Sequence, residues 1–241
     1  MKAMRLDKYL ADMGMGTRSE IKNKIKQGQV LVNDVMEKRP ERKVNPVTDT
    51  ITVNGKKIAY VAYEYYMLNK PSGYVSATSD ATYPTVLDLI SDKKRKDLFP
   101  VGRLDLDTEG LLLITNDGAL SHQLLSPKKH VAKTYYAKIK GRVTEEDVVK
   151  FKEGLDIGEE KLTLPAKLVI LKSNEISEIE VTIVEGKFHQ IKRMFEAVGK
   201  EVLFLKRLSM GSLFLDEKLA LGAYRSLTEK EINDLKGKQD A

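Results

Sequence analysis

The sequence predicts an α+β protein, in which a small N-terminal module precedes a larger body built on a largely antiparallel mixed sheet flanked by helices. Two observations support this prediction. After Tyr60, short apolar runs and amphipathic stretches follow one another in mixed order, without the regular strand–helix alternation of a parallel α/β protein. The excess of basic residues is also confined to the N-terminal quarter of the chain. We therefore expect two domains, residues 1–60 and 61–235, and a frayed tail at residues 236–241.

Charge separates the two parts. The net charge of the 241 residues is +6. Residues 1–60 contain 13 Lys and Arg against 7 Asp and Glu, whereas residues 61–241 contain 28 of each kind. A small basic module joined to a neutral body is typical of proteins that bind phosphates with one part and act locally with the other. A solvated basic face explains the charge equally well.

Two helices are predicted in the N-terminal module. Apolar residues at helical spacing predict the first over Arg5–Met13, before two glycines. The second begins at Thr17–Glu20, which has the capping-box pattern, and ends at Gly28. Strands are then predicted at residues 29–32 and 50–53. Basic residues four apart on the second helix, with others on the first, form a cationic surface suited to a phosphate backbone: Arg5, Lys8, Arg18, Lys22 and Lys26.

The body is predicted from its apolar periodicity. Strands are expected at residues 65–68, 73–75, 111–115, 135–139, 166–171, 179–184 and 202–205. Helices are expected at residues 85–91, 119–125, 144–154, 189–198 and 228–235.

Composition excludes several classes of site and of protein. The chain has no cysteine, and its three histidines lack the close spacing of a metal-binding helix, so we expect neither thiol chemistry nor a metal site. No apolar run approaches the ~18 residues of a membrane helix, and the start of the chain has no apolar stretch typical of a secretory signal. We expect a cytoplasmic protein that does not associate with membranes and is a monomer.

Three segments contain candidate chemistry. Asp105 lies in a glycine-bounded block, residues 102–110, with two further carboxylates and Arg103. Asp107 either forms a tight turn or orients Arg103, and on spacing alone a structural role is more common for Asp105 as well. Lys192 and Arg193 follow on a basic helix, where one of them either pairs with a buried carboxylate or forms a surface ion pair. Tyr135 either stacks on a nucleobase or belongs to the core of a strand.

Together these segments resemble a known family. Residues 5–10, 17–20 and 28–33 are similar to the S4-like RNA-binding domain, which binds structured RNA. Residues 67–75, 85–87, 102–118, 133–135, 185–199 and 222–228, in this order, closely resemble the pseudouridine synthases of small-subunit (16S) ribosomal RNA. The resemblance implies an S4-like domain followed by a catalytic domain, and an isomerase whose partner is ribosomal RNA or a small-subunit assembly intermediate.

The same resemblance implies residue roles. Asp105 of the Gly-Arg-Leu-Asp motif is the expected nucleophile, and Arg103 helps to open the RNA helix and hold the flipped base. Tyr135 stacks on the target uracil. Lys192 is the basic partner of Asp105, at a position where many relatives carry Arg. The reaction detaches uracil from the anomeric carbon, rotates it and rejoins it through carbon 5 without net redox change, so no cofactor is expected.

Other functions stay open at this point. Sister branches of the family act on large-subunit (23S) rRNA and share the Asp motif. A non-catalytic RNA-binding assembly factor with the same fold has no reason to retain Asp105, Tyr135 and Lys192 together. A glycosidase or metal phosphoesterase built on Asp105 and Asp107 is disfavoured, because two acids two residues apart give no fixed acid–base separation. Whether Asp105 attacks the sugar or acts as a base is also open.

Overall fold

The structure, a computed structural model, describes residues 2–237 and divides them into two units. The first unit comprises the chain up to Glu64 together with Ser91–Leu98. The second comprises Tyr65–Ile90 and the chain from Phe99 onward. Of the predicted frayed tail, residues 238–241 lie outside the described part of the chain.

The first unit packs two helices against small antiparallel sheets. Its elements, in chain order, are β1 (Met4–Arg5), α1 (Leu6–Asp12), α2 (Arg18–Lys26), β2 (Val30–Val32), β3 (Val35–Met36), β4 (Lys43–Val44), β5 (Ile51–Val53) and β6 (Lys56–Ile58). β1 pairs with β4, and the other strands form a sheet in the order β3-β2-β5-β6. The predicted capping box is confirmed, since Thr17 Oγ1 accepts from Glu20 N–H and Glu20 Oε2 accepts from Thr17 N–H at 2.7 Å.

Ser91–Leu98 folds onto the first unit through one buried arginine and one carboxylate. The Arg95 side chain is only 4% exposed, and its guanidinium binds the Asp97 carboxylate at 2.6 and 2.8 Å. It also donates to Tyr60 Oη at 3.2 Å and lies over the Tyr60 ring. The Glu64 carboxylate accepts the backbone N–H groups of Lys94 and Arg95. The segment is thereby held in one place by groups far from it in sequence.

The second unit is built on one large sheet. Its elements are β7 (Tyr65–Lys70), β8 (Phe99–Pro100), β9 (Glu109–Thr115), α3 (Gly118–Leu125), β10 (Lys133–Lys140), α4 (Glu145–Glu153), β11 (Lys167–Lys172), β12 (Ile176–Ile183), α5 (Gln190–Ala197), β13 (Glu201–Met210), β14 (Leu213–Phe214), β15 (Tyr224–Ser226) and α6 (Glu229–Leu235), with a short 3₁₀ turn at Pro127–Lys129.

Strand order confirms the predicted α+β class. Within residues 2–237 the large sheet has nine strands, with the order β11-β12-β10-β13-β9-β7-β15, while β14 pairs with β13 and β8 with β9. Every pairing is antiparallel except β9 with β13. The apolar cluster that includes Met67, Leu111 and Leu113 also takes in residues of α3 and α6, which explains the amphipathic patterns of those helices.

Two predicted elements of the second unit are wrong. Residues 73–75 are not a strand, because Gly73 has a φ of 87° and only Val75 forms a bridge, with Thr85. Residues 85–91 are not a helix, because Val86 N–H donates to the Val75 carbonyl and the next bonds close tight turns over three residues. The Asp88 carboxylate also bonds the amide and hydroxyl of Thr85, which stabilises a turn in place of a helix.

One row of residues crosses the sheet beside the loop that carries the Asp motif. Lys70 of β7 pairs with Gly110 of β9, Gly110 with Arg207 of β13, and Arg207 with Tyr135 of β10. Gly110 has a φ of 97°, and a Cβ there would lie 2.3 Å from the Arg207 carbonyl oxygen. Only glycine therefore allows β9 and β13 to approach at this point.

No helix within residues 2–237 is long and apolar enough to cross a membrane.

Candidate active site

The candidate residues of the second unit meet in one open cleft of about 90 Å³. The loop between β8 and β9 supplies Arg103 and Asp105, β10 supplies Tyr135, and α5 supplies Lys192. Ile183 and Leu205 add apolar walls. Four side chains that are up to 89 positions apart in the sequence thus line one surface, with a carboxylate and an ammonium beside an aromatic ring.

A buried lysine that the sequence reasoning did not single out holds the Asp105 loop. Lys70 is fully buried, and its Nζ donates to the backbone carbonyls of Pro71, Asp105, Leu106 and Thr108 at 2.8–3.2 Å. Three of these carbonyls belong to the loop after Arg103, so one ammonium fixes its path. Burial lowers the pKa of Lys70 to about 8, although Asp107 and Asp105 favour its charged form.

Lys192 lies between two carboxylates. Its Nζ donates to Asp107 at 2.7 and 2.8 Å and lies 3.5 Å from Asp105 Oδ2. The side chains of Lys192 and Asp105 are 21% and 26% exposed, whereas that of Asp107 is 67% exposed. Burial raises the pKa of Asp107, but the Lys192 hydrogen bond and charge outweigh burial and hold it below its ordinary value. Asp107 therefore does more than form a turn, and Lys192 contacts the carboxylate that lies deeper in the cleft.

His189 is a further group at Asp105 that was not predicted as a site residue. Its Nε2 lies 3.6 Å from Asp105 Oδ1. His189 is the N-cap residue of α5 and has a φ of 47°. The Phe188 ring stacks on it with centroids 3.8 Å apart. Arg193, which the sequence left open as the carboxylate partner, instead binds Glu159 and the carbonyls of Phe188 and Ile157. Arg193 thus fixes the backbone that presents His189.

Of the other two predicted residues of the cleft, Tyr135 is buried and Arg103 is exposed. The Tyr135 side chain is buried, on the strand position opposite Arg207. Arg207 is itself buried, and its Nε donates to the Leu111 carbonyl at 2.7 Å. Arg103 is exposed and forms no ion pair with any residue from 2 to 237. Tyr135 is therefore a fixed ring, while the Arg103 guanidinium is available to an anionic ligand.

The five cations predicted to bind RNA lie on α1, on α2 and just before α1, all in the first unit. All of them are exposed. Arg5 binds Asp7 and Lys8 binds Asp12, so these two have carboxylate partners. The stripe on α2, formed by Arg18, Lys22 and Lys26, has no ion-pair partner within the described chain. The stripe is the part of the set with uncompensated charge.

Comparison with known proteins assigns this arrangement to a family. The family model described as RNA pseudouridylate synthase matches residues 64–197, and the S4 domain model matches residues 4–51. This chain belongs to the RNA pseudouridylate synthase family. It is an isomerase that converts uridine in RNA to pseudouridine, and the predicted S4-like domain is confirmed.

Individual members of the family match nearly the full chain. The uncharacterized RNA pseudouridine synthase YtzG of Bacillus subtilis is 48% identical over 95% of this chain and 97% of its own length. The ribosomal small subunit pseudouridine synthase A of Vibrio cholerae is 41% identical over 95% and 98% of the two chains. The crystal structure of a pseudouridylate synthase superposes with a TM-score of 0.68, at 38% identity over 96% of this chain and 99% of that one. The predicted fold and enzyme class are confirmed.

Proposed function

We propose that this chain converts a specific uridine of 16S rRNA to pseudouridine, with Asp105 as the nucleophile acting on a flipped-out nucleotide. The observation that carries the proposal is the position of Asp105, on a loop fixed by Lys70, 3.5 Å from Lys192 and in the cleft that Tyr135 lines. The Lys192 ammonium offsets part of the cost of burying the Asp105 carboxylate. Asp107, by contrast, is mostly exposed and bonded to Lys192.

The surrounding side chains suit the substrate of such a reaction. The bond from uracil N1 to the anomeric carbon breaks, the base turns, and carbon 5 bonds to the anomeric carbon. Carbon 5 loses its proton and N1 gains one, so the product is an isomer of the substrate. As the nucleophile, Asp105 attacks the anomeric carbon as N1 departs, and it is released when carbon 5 bonds to that carbon. The detached base needs a surface that holds it without fixing its rotation, and stacking on Tyr135 with apolar walls meets that need. Arg103 contacts the RNA and holds the flipped nucleotide.

The first unit supplies the affinity for RNA. We assign residues 1–60 as the RNA-binding domain and residues 61–235 as the catalytic domain, except residues 61–64 and 91–98, which belong to the first unit. Phosphates contact Arg18, Lys22 and Lys26, with Arg5 and Lys8 beside them, and this offsets the few kcal/mol that unstacking a uridine costs. The small-subunit assignment is supported by the name of the Vibrio cholerae relative, 41% identical over nearly the whole chain. The enzyme acts as a monomer in the cytoplasm and needs no cofactor.

Mapping of pseudouridine tests the proposal. Transcribed 16S and 23S rRNA and a small-subunit assembly intermediate are incubated with the wild type, with Asp105→Ala and with Asp107→Asn, and pseudouridine is read as carbodiimide-dependent stops of primer extension. We expect one new stop in 16S rRNA with the wild type and Asp107→Asn, and none with Asp105→Ala. A stop only in 23S rRNA moves the enzyme to the large-subunit branch. Wild-type binding to RNA without any stop favours an assembly factor.

A further inference from the structure

Ser91–Leu98 is a basic segment that belongs to the first unit, although the residues on either side of it in the sequence belong to the second. It lies between Ile90 and Phe99, which both belong to the second unit, yet it is part of the first unit. Its eight residues include four Lys or Arg and two Asp or Glu. It also lies outside residues 4–51, the part of the chain that matches the S4 domain.

The contacts of Arg95 and Glu64 give this segment a fixed conformation. Arg95 is buried against Tyr60, donates to the Val61 carbonyl at 3.3 Å and lies 3.5 Å from Asp12. Two backbone N–H groups of the segment bond the Glu64 carboxylate. Four of these contacts reach residues 30 or more positions away. A segment ordered in this way loses little entropy when it binds a ligand.

Two lysines of the segment are thereby held beside the start of α2. The side chains of Lys94 and Lys96 are exposed. A Cβ on Gly14, in the turn between α1 and α2, would lie 3.3 Å from Lys96 Cε and 3.7 Å from the Lys94 carbonyl oxygen. The pKa of Glu20, in the first turn of α2, is lowered chiefly by the Thr17 backbone, with Lys96 adding to the effect. Arg18, the first residue of the α2 stripe, lies at this same end of the helix.

The nearby carboxylates hydrogen-bond other groups, and neither Lys94 nor Lys96 forms an ion pair with any residue from 2 to 237. Asp97 binds Arg95, Asp12 binds Lys8, and Glu20 closes the capping box of α2. Counted by unit, the first has 17 Lys and Arg against 10 Asp and Glu, and the second has 24 against 25. The positive charge of the protein is thus collected in the first unit, and the segment contributes to it.

We propose that Ser91–Leu98 is a second RNA-binding element of the first unit, in which Lys94 and Lys96 contact phosphates of the RNA that binds the α2 stripe. The identity of that RNA rests on the proposed function. In the sequence, this segment lies between two parts of the second unit. The residues that bind RNA therefore come from two separate stretches of the chain.

The salt dependence of RNA binding tests this assignment. Binding of transcribed 16S rRNA is measured between 50 and 300 mM salt for the wild type and for Lys94→Ala/Lys96→Ala. Each lost phosphate contact lowers the slope of log K against log salt by about 0.7 to 0.9. We expect the double variant to lose about 1.4 to 1.8 from the slope, and roughly 10- to 30-fold in affinity near 0.15 M salt. The matched control, Lys138→Ala/Lys172→Ala, removes two exposed lysines of the second unit and keeps the wild-type slope.

A cross-linking experiment gives a second readout. The chain has no cysteine, so Lys96→Cys and Lys138→Cys each accept a single benzophenone maleimide. We expect the label at residue 96, and not that at residue 138, to cross-link 16S rRNA under ultraviolet light. An unchanged slope together with no cross-link from residue 96 overturns the assignment, and so does an equal loss of slope in the control. Pseudouridine mapping of the same proteins separates this result from a failure of the proposed reaction.

Discussion

Replacing Lys192 by Met tests the electrostatic core of the proposed mechanism. Methionine keeps the length and the apolar stem of the side chain but removes the ammonium that lies 3.5 Å from Asp105. We expect the rate of pseudouridine formation to fall strongly while the protein stays folded, because Lys192 is partly exposed and lies outside the apolar core.

The magnitude follows from the distance and the exposure. Two unit charges 3.5 Å apart attract by about 1.2 kcal/mol in water and by about 5 kcal/mol at an effective dielectric constant of 20. Asp105 and Lys192 are each about one quarter exposed, so an intermediate value of about 2 to 4 kcal/mol applies. If the pair stabilises the transition state, its loss lowers the rate by roughly 30- to 1,000-fold.

Asp107→Asn is the matched control. It removes the shorter of the two contacts of Lys192, but Asp107 is 67% exposed, and exposed ion pairs contribute about 0.2 to 1 kcal/mol. Lys192 then remains with Asp105, and we expect a change of less than about fivefold.

Single-turnover release of tritium from RNA labelled at uracil carbon 5 measures the rate directly, because the reaction replaces that hydrogen. A rate of Lys192→Met within threefold of wild type would refute the reasoning. An equal loss in Asp107→Asn would show that Lys192 acts through Asp107 and not through Asp105.

Four further predictions follow from the geometry. Lys70→Met leaves the backbone carbonyls of the Asp105 loop without their shared donor, so urea denaturation should show a loss of about 2 to 4 kcal/mol, and tritium release a lower kcat. Tyr135→Phe should keep activity, while Tyr135→Ala should lose about 5- to 150-fold in the same assay, the equivalent of 1–3 kcal/mol of base stacking. Gly110→Ala should lower the free energy of unfolding by about 3 kcal/mol or more, because its Cβ would meet the neighbouring strand at a positive φ. Burial raises the pKa of Glu37, but hydrogen bonds from the Arg42 side chain and the Arg39 backbone N–H lower it to about 2. The free energy of unfolding of the wild type should therefore fall relative to that of Glu37→Gln as the pH falls from about 4.5 to 2, and thermal denaturation measures this.

Local chemistry allowed much of the fold to be predicted from the sequence. The capping box at Thr17 and the apolar run at residues 111–115 report interactions within a few residues, and the structure shows the helix and strand that they predict. The failed helix at residues 85–91 has an amphipathic pattern as well. Its backbone donors are taken by Val75 and by the Asp88 turn, and apolar periodicity carries no information about such competing bonds.

Contacts between two side chains could be predicted from the sequence, whereas contacts of a side chain with the backbone could not. Lys192 was expected to meet a carboxylate, and it lies beside Asp105, but its closer bond to Asp107 joins residues 85 positions apart. Lys70 was not singled out, because its partners are backbone carbonyls, which have no signature in the sequence. The sequence did contain one signal for Lys70: it is a charged residue at the end of an apolar strand, directly before Pro71 and near Gly73. Membership of Ser91–Leu98 in the first unit likewise depends on contacts distant in sequence.

The place of Ser91–Leu98 limits how proteins of this architecture can recombine. The chain passes from one unit to the other after Glu64, after Ile90 and after Leu98. A chimaera joined at a single point near residue 60 pairs the Arg95 of one parent with the Tyr60 and Asp12 of another. A truncation at that point removes the residues of the first unit that bury Arg95 and Leu98. An exchange that respects the packing needs three junctions. Exchange of the first unit between two such chains therefore requires Ser91–Leu98 to be replaced together with the chain up to Glu64.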